Sequence, residues 1–148
     1  MKYFPLFLLF LATSCAAPDG AYVFYDEPAY AEKERQLPIS TEQAATLFAR
    51  NYFEQHPYAE KVTVHIDVLF YKKYIVSPTQ LLHNTKFGVC YLTPDTYWVD
   101  GKTGKLKKNK REALYLRRVG RADENGMSIF REGIFIKTYM RDSLLNTP

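Results

Sequence analysis

The chain has 148 residues, 47% of them hydrophobic and 24% charged, and its formal net charge at pH 7 is +4. Its mean hydropathy of −0.31 excludes a polytopic membrane protein, and the hydrophobic content is enough for the core of one domain. The mild positive charge excludes a dedicated nucleic-acid-binding protein, and we expect no nucleic-acid partner.

The first fourteen residues have the character of an export signal. Lys2 supplies a positive charge, and residues 3–12 are almost wholly apolar, with an interruption at Pro5. A membrane-spanning helix needs about 20 apolar residues, so this stretch is too short to cross a bilayer. A charged start and a short apolar core predict a signal peptide at residues 1–14.

Cys15 follows three small residues at the end of this signal, and the arrangement resembles the lipobox of bacterial lipoproteins. In that family the cysteine is lipidated and the signal is cut just before it. The resemblance implies a membrane anchor on Cys15 and a place in the cell envelope. The outer membrane is favoured, because no aspartate follows the cysteine. The alternative is an ordinary signal peptide, cut near Ala16 or Ala17.

The segment after the anchor, residues 15–38, is punctuated by prolines and polar residues, and we interpret it as the lipidated cysteine and a tether. Residues 22–25 are an exception, because they could add an edge strand to the domain or simply lie on it. The second cysteine, Cys90, lies among strand-forming residues. With Cys15 lipidated it has no partner in the chain, and we expect a small buried side chain.

A helix is predicted over about residues 41–55. Ser40 and Gln43 have the spacing of a capping box, and Pro57 disfavours helix beyond His56. One apolar stripe recurs at helical spacing along this segment. Its members are Ala44, Leu47, Phe48 and Tyr52.

Strands are predicted in the remainder of the chain. Residues 61–70 alternate between apolar and more polar positions, residues 96–108 indicate a strand, a turn and a strand, and residues 127–140 indicate closing strands. We therefore predict one α+β domain at residues 39–142, with one main N-terminal helix packed on an antiparallel sheet of about four to six strands. Residues 143–148 are expected to fray.

The helix start and the later turn together resemble a PepSY domain, a small cystatin-like α+β module of secreted and envelope proteins. The resemblance covers about residues 38–107. It implies a binding or peptidase-modulating role and supplies no catalytic residues. The residues that carry it are Thr41, Glu42, Ala44, Tyr97, Val99, Asp100, Thr103 and Gly104.

No pattern in the sequence points to catalysis. His56, His65 and His83 do not have metal-ligand spacing, and neither a glycine-rich phosphate loop nor a Gly-x-Ser-x-Gly elbow is present. We therefore expect no metal site, no cofactor, no catalytic residues and no enzymatic activity.

Two groups of residues are candidate binding sites. The first lies around the predicted hairpin, where exposed aromatic side chains can anchor a protein partner. It comprises Tyr97, Trp98, Asp100, Lys102 and Lys105. The second is a basic patch, which can meet anionic headgroups or an acidic protein. It comprises Lys107, Lys108, Lys110, Arg111, Arg117 and Arg118.

Each group has a plainer alternative, namely rings that fill a small core and lysines that protect a strand edge from aggregation. The function we predict is a lipid-anchored, non-enzymatic protein-binding module, with a peptidase as the partner that the PepSY resemblance implies. The alternatives are an accessory or assembly subunit of an envelope machine, a periplasmic immunity protein and, last, an unrecognised hydrolase.

Overall fold

The structure is a computed structural model, and it describes residues 21–79, 82–84, 89–91, 95–109, 116–117 and 134–146. Within these ranges there are three helices and nine strands. The helices are α1 (Pro28–Glu34), α2 (Thr41–Gln55) and α3 (Arg141–Leu145). The strands are β1 (Tyr22–Phe24), β2 (Lys61–Phe70), β3 (Lys73–Ser77), β4 (Leu82–Asn84), β5 (Val89–Tyr91), β6 (Tyr97–Asp100), β7 (Leu106–Lys108), β8 (Leu116–Arg117) and β9 (Phe135–Met140).

A six-stranded antiparallel sheet organises the fold, in the order β1-β2-β3-β6-β7 with β9 also paired to β2. Strand β2 is long enough for two partners on one side, because β9 pairs with residues 61–66 and β1 with residues 68–70. Strands β4, β5 and β8 form a second, three-stranded sheet. The predicted α+β class with an antiparallel sheet is therefore confirmed.

Helix α2 has the predicted bounds and the predicted cap. The Gln43 N–H donates to Ser40 Oγ at 3.2 Å, and the Ser40 N–H donates to Gln43 Oε1 at 2.8 Å. These two bonds satisfy backbone groups that a helix start leaves free. The buried face of α2 includes Phe48 and Phe53, which pack in the main core against β2, β3 and β6.

The expectation of one main N-terminal helix is not confirmed, because β1 and α1 precede α2 within the segment interpreted as tether. Pro28 opens α1, where its missing N–H costs nothing, and Tyr30 is 2% exposed in the main core. The Thr41 N–H donates to Glu34 Oε1 at 2.6 Å and joins the two helices. Burial of widely spaced aromatic side chains thus brings this segment into the domain from Tyr22 onward.

A bulge at Asp67 reverses the two faces of β2. The pairing register with β3 shifts between Ile66 and Val68. Ile66 and Leu69 therefore pack in the main core under α2, whereas Val68 packs on the other face with Phe24 and Ile75. The uninterrupted alternation predicted for residues 61–70 is wrong after Ile66, because one extra residue exchanges the faces.

Fraying was expected over residues 143–148; of these, residues 143–146 are folded, and residues 147–148 lie outside the described residues. Helix α3 covers residues 141–145, and Leu144 packs against the main core. The Arg141 guanidinium donates to the carbonyls of Ala59 (2.7 Å), Phe53 (3.2 Å) and His56. It therefore caps the C-terminus of α2, where helix geometry leaves the last carbonyls, that of Phe53 among them, without partners inside the helix.

Helix α2 separates two ends of the domain. At the first, which we call the Gly101 end, the Ile39 N–H donates to the Gly101 carbonyl at 3.0 Å. At the second, the Gln55 end, the Tyr97 hydroxyl donates to Gln55 Oε1 at 2.9 Å. The fifteen residues of α2 span about 22 Å at 1.5 Å per residue, so surfaces at the two ends are well separated.

Candidate functional site

An open cavity of about 420 Å³ lies at the Gln55 end. The last turns of α2 form one wall, and the chain after β3, the start of β6 and the end of β7 form the others. Tyr97 and Lys108 are register partners on β6 and β7, so the hairpin delivers both side chains to this cavity. Tyr97 belongs to the predicted protein-binding group, and Lys108 belongs to the predicted basic patch.

Aromatic rings build one side of the cavity. Tyr52 and His56 are one helical turn apart on α2, and their rings stack with centroids 4.1 Å apart. Phe48 and Tyr97 meet edge to face at 5.4 Å. His56 Nδ1 lies 2.9 Å from the Tyr52 carbonyl oxygen, which can only accept. Nδ1 therefore carries the proton, and in the neutral ring Nε2 is an acceptor.

A chain of side-chain hydrogen bonds orders the polar part. The Tyr97 hydroxyl donates to Gln55 Oε1, and Gln55 Nε2 donates to Asn51 Oδ1 at 3.0 Å. The two amides are four residues apart and share one face of α2. Because Gln55 accepts with its amide oxygen and donates with its amide nitrogen, the orientations of both amides are fixed. This row of hydrogen bonds ends at the Asn51 amide nitrogen, which is a donor.

The cavity carries both signs of charge. Asp95 precedes β6 and Lys108 ends β7, and both side chains are exposed to solvent. Together with the amides and rings, these groups can bind a ligand that offers hydrogen bonds, an apolar surface and charge. Within the described ranges, no group of three or more His, Cys, Asp or Glu side chains could hold a metal ion.

The structure divides the predicted protein-binding group between the two ends. Tyr97 is 8% exposed and faces α2, whereas Trp98 lies half-buried on the other face, with its ring 5.5 Å from that of Phe70. Lys102 and Lys105 are exposed in the turn at the Gly101 end. These residues therefore do not form one contiguous binding surface, because neighbours on a strand point to opposite faces.

Asp100 has a structural role in the β6–β7 turn. Its Oδ1 accepts the N–H of Lys102 at 2.8 Å and that of Thr103 at 3.0 Å. These bonds, that from Lys102 first, hold the pKa of the Asp100 carboxyl below its ordinary range. Gly104 follows with φ +71°, a conformation that favours glycine. Asp100, Thr103 and Gly104, three of the residues that resemble PepSY domains, thus have roles in the geometry of this turn.

The described part of the basic patch belongs to two different sheets. Lys107 and Lys108 are exposed on β7 of the large sheet, and the backbone of Arg117 lies in β8 of the small one. Lys110, Arg111 and Arg118 lie outside the described residues, as does Cys15.

The α2 side of the cavity was not predicted from the sequence. Tyr52 was expected to belong to the apolar stripe and His56 to end the helix. The available signal was a pair of i, i+4 spacings, Asn51 with Gln55 and Tyr52 with His56, which places four hydrogen-bonding side chains on adjoining faces of one helix end.

Comparison with known proteins gives no relative for this chain. No protein-family model matches the sequence. No curated protein and no solved structure matches it either. A search of the described helices finds none with the length and apolar character needed to cross a membrane.

Proposed function

We propose that this chain is a lipoprotein of the cell envelope, anchored through Cys15, that acts as a non-enzymatic protein-binding module. Its binding site is the cavity at the Gln55 end. The observation that carries the proposal is the hydrogen-bonded row of Tyr97, Gln55 and Asn51 beside the stacked rings of Tyr52 and His56.

The chemistry of this row suits a loop of a protein partner. A peptide offers backbone donors and acceptors at regular intervals, which the amides of Asn51 and Gln55 can pair with. Side chains of the loop can pack on the rings, and Asp95 and Lys108 can meet charges of either sign. A cavity of about 420 Å³ accommodates one or two side chains of such a loop.

Tyr58 is a further candidate contact group, in the chain that leaves the α2 wall of the cavity. It is 96% exposed and follows His56 by two residues. An exposed tyrosine supplies a large contact area at little cost in conformational entropy, and such residues are enriched among the energetically dominant contacts of interfaces. The cavity and Tyr58 together define the surface that we propose for the partner.

A peptidase is the partner class to test first, since the PepSY resemblance implies it. An inhibitor or modulator of this kind needs only to present its binding surface. It should therefore retain its effect on the peptidase in solution when the lipid on Cys15 is removed.

An accessory or assembly subunit of an envelope machine is the second candidate. The outward residues of β9 favour it, because Ile136 is 56% exposed and Met140 is 49% exposed on the same strand. Apolar side chains of this size on a surface strand suit a packed protein contact. A subunit of this kind should require the anchor at Cys15 for its function.

Site-directed photo-crosslinking in the native cells tests the first proposal and separates it from the second. A photoreactive amino acid is placed in the full chain at Asn51 in the cavity, at Ile136 on β9, or at exposed Glu32 on α1 as a matched control. We expect Asn51 to crosslink one partner protein that Glu32 does not reach. Lys108→Glu should weaken that crosslink several-fold, whereas Lys61→Glu should not.

Crosslinks from Ile136 in the absence of any from Asn51 would favour the assembly subunit. Equal crosslinks from Asn51 and Glu32 would contradict a specific site at the cavity. Where a partner is recovered and proves to be a peptidase, mixing it with the domain should lower or redirect its activity. A partner whose activity is unchanged would argue against the modulator role.

A further inference from the structure

The Gly101 end carries lysines from two turns that are bonded side by side. The Gly101 N–H donates to the Lys72 carbonyl at 2.7 Å and joins the β6–β7 turn to the β2–β3 turn. A Cβ on Gly101 would lie 2.9 Å from that carbonyl oxygen, so the close approach requires glycine. The bond brings together four exposed lysines, namely Lys72, Lys73, Lys102 and Lys105.

Two of these ammonium groups are close enough to affect each other. A hydrogen bond between the two side chains, in which one amine must be neutral in order to accept, and the repulsion from the Lys102 charge lower the pKa of Lys72. Asp100 is the neighbouring carboxylate, and its Oδ1 is engaged by the backbone N–H groups of Lys102 and Thr103. Four cations beside one carboxylate leave an excess of positive charge at this end, which an external anion would stabilise.

An exposed aromatic side chain lies beside the lysines. Tyr71 is 53% exposed and, within the described ranges, is the only residue other than glycine with positive φ, at 52°. Glycine, asparagine or aspartate is the usual choice for this conformation, so a tyrosine here is held at some conformational cost. Tyrosines and lysines are the side chains that anchor proteins at the interface between water and lipid.

The chain enters the domain at the same end. The Tyr71 N–H donates to the carbonyl of Ala21, the first described residue. Six Cα steps separate Ala21 from Cys15, and at about 3.5 Å per step they reach at most ~20 Å. A lipid on Cys15, as in the proposed function on which this inference rests, would hold the Gly101 end next to the bilayer.

We propose that Tyr71, Lys72, Lys73, Lys102 and Lys105 form a docking surface for the anionic phospholipid headgroups of the membrane that holds Cys15. Basic residues next to a lipid anchor add electrostatic attraction to the hydrophobic attachment, and two such signals together hold a protein more stably than one. Docking through this surface orients the domain. The cavity at the Gln55 end then faces away from the membrane and toward a partner.

Lysine reactivity in vesicles tests this surface residue by residue. The full chain is expressed with its signal, and the exported product is purified and reconstituted into phosphatidylcholine vesicles with or without phosphatidylglycerol. Lysines are acetylated briefly and read by mass spectrometry. We expect Lys72 and Lys102 to react several-fold more slowly when phosphatidylglycerol is present, and salt to remove this protection. Lys61, at the start of β2 toward the Gln55 end, is the internal control and should react equally in both vesicles.

Paired charge reversals give a second measurement. Lys72→Glu with Lys102→Glu should abolish the protection of Lys73 and Lys105, whereas the matched pair Arg50→Glu with Lys61→Glu should leave it intact. All four substituted side chains are exposed, so neither pair disturbs the core. Equal acetylation of Lys72 in both vesicles, equal protection of Lys61, or the same protection by inorganic phosphate without anionic lipid would overturn the proposal.

The intact mass of the purified protein separates this inference from the proposed function. A mass that includes lipid on Cys15 supports the anchor, and a mass without lipid contradicts it. In the second case the same protein is added to preformed vesicles, and the acetylation of Lys72 and Lys102 still decides whether the surface binds anionic headgroups.

Discussion

The side-chain hydroxyls of Tyr30 and Thr41 lie 2.8 Å apart in the core and join α1 to the first residue of α2. Burial raises the pKa of the Tyr30 hydroxyl far above its ordinary value, so the group stays neutral and hydrogen-bonded at any physiological pH. The Tyr74 hydroxyl adds a bond of 2.6 Å to the Ile39 carbonyl nearby. The segment before α2 is thus held by buried polar contacts as well as by apolar packing.

Tyr30→Phe should lower the free energy of unfolding by about 1–2 kcal/mol, because it removes the buried hydrogen bond to the Thr41 hydroxyl while the ring stays in place. Urea denaturation measures the difference. Tyr58→Phe is the matched control, since Tyr58 is 96% exposed and its loss of a hydroxyl should change little. Equal stability of Tyr30→Phe and the wild type would show that the hydrogen bond makes no net contribution.

Arg141→Lys should destabilise the protein by about 1–3 kcal/mol, since lysine lacks the planar group that reaches two carbonyls at the end of α2 and a third in the loop that follows. The guanidinium also packs 5.1 Å from the centroid of the Phe53 ring. Thermal unfolding gives the size of the effect, and amide exchange should show faster opening of the last turn of α2. Arg50→Lys, on the exposed side of the same helix, should leave both measurements unchanged.

Gly101→Ala should cost about 1–3 kcal/mol of stability, because the new methyl would lie 2.7 Å from Leu37 Cδ1 and 2.9 Å from the Lys72 carbonyl oxygen. Leucine can shift but the backbone carbonyl cannot do so freely, so the bond between the two turns should weaken. Lys102→Ala, at the next position, serves as an exposed control in the same denaturation experiment. A stable Gly101→Ala variant would mean that the turns separate readily.

His65 should make the stability depend on pH. Burial lowers its pKa, although a hydrogen bond to the Ser77 backbone opposes this in part, and the buried Nδ1 has no hydrogen-bond partner among the residues that the structure describes. The unfolded chain therefore binds a proton near the ordinary pKa of about 6.5, before the folded chain does. The neutral His65 ring therefore contributes its full stabilisation above about pH 6.5. This stabilisation is lost as the pH falls from there to the lower pKa of the folded state.

Denaturation of the wild type and His65→Gln between pH 5 and pH 8, which brackets the ordinary histidine pKa of about 6.5, isolates this effect. The wild type should lose more stability than the variant as the pH falls, and the two should differ by a constant above about pH 7. A constant difference over the whole range would exclude a contribution from His65 titration.

Local signals predicted the elements that depend on local interactions. The capping box of Ser40 and Gln43 and the apolar spacing of the following residues placed α2 correctly, because these contacts form within one segment. The alternation of β2 was predictable up to Ile66, where the bulge at Asp67 reverses the faces. No residue type in the sequence indicates a bulge, because its position depends on how β2 pairs with β3 and on how both faces of the sheet pack.

The candidate site could be predicted only in part. Tyr97 and Lys108 were each singled out, but for separate surfaces, and the structure brings them to one cavity with Gln55 and His56. Their meeting depends on the β6–β7 register and on α2 crossing the sheet, which involve residues about fifty positions apart. The proximity of Lys72 and Lys102 could not be predicted from the sequence. Thirty residues separate them, and a single backbone hydrogen bond at Gly101 joins their turns.

Three features could be predicted from the sequence: an antiparallel α+β domain, a capped helix over residues 41–55, and a strand, turn and strand over residues 96–108. Each of these rests on hydrogen bonds and apolar periodicity within a few residues. Only the tertiary structure decided that β1 and α1 belong to the domain and that binding groups divide between its two ends. Those outcomes depend on burial and pairing between distant segments, whose free energy is set by the whole core and not by any local pattern.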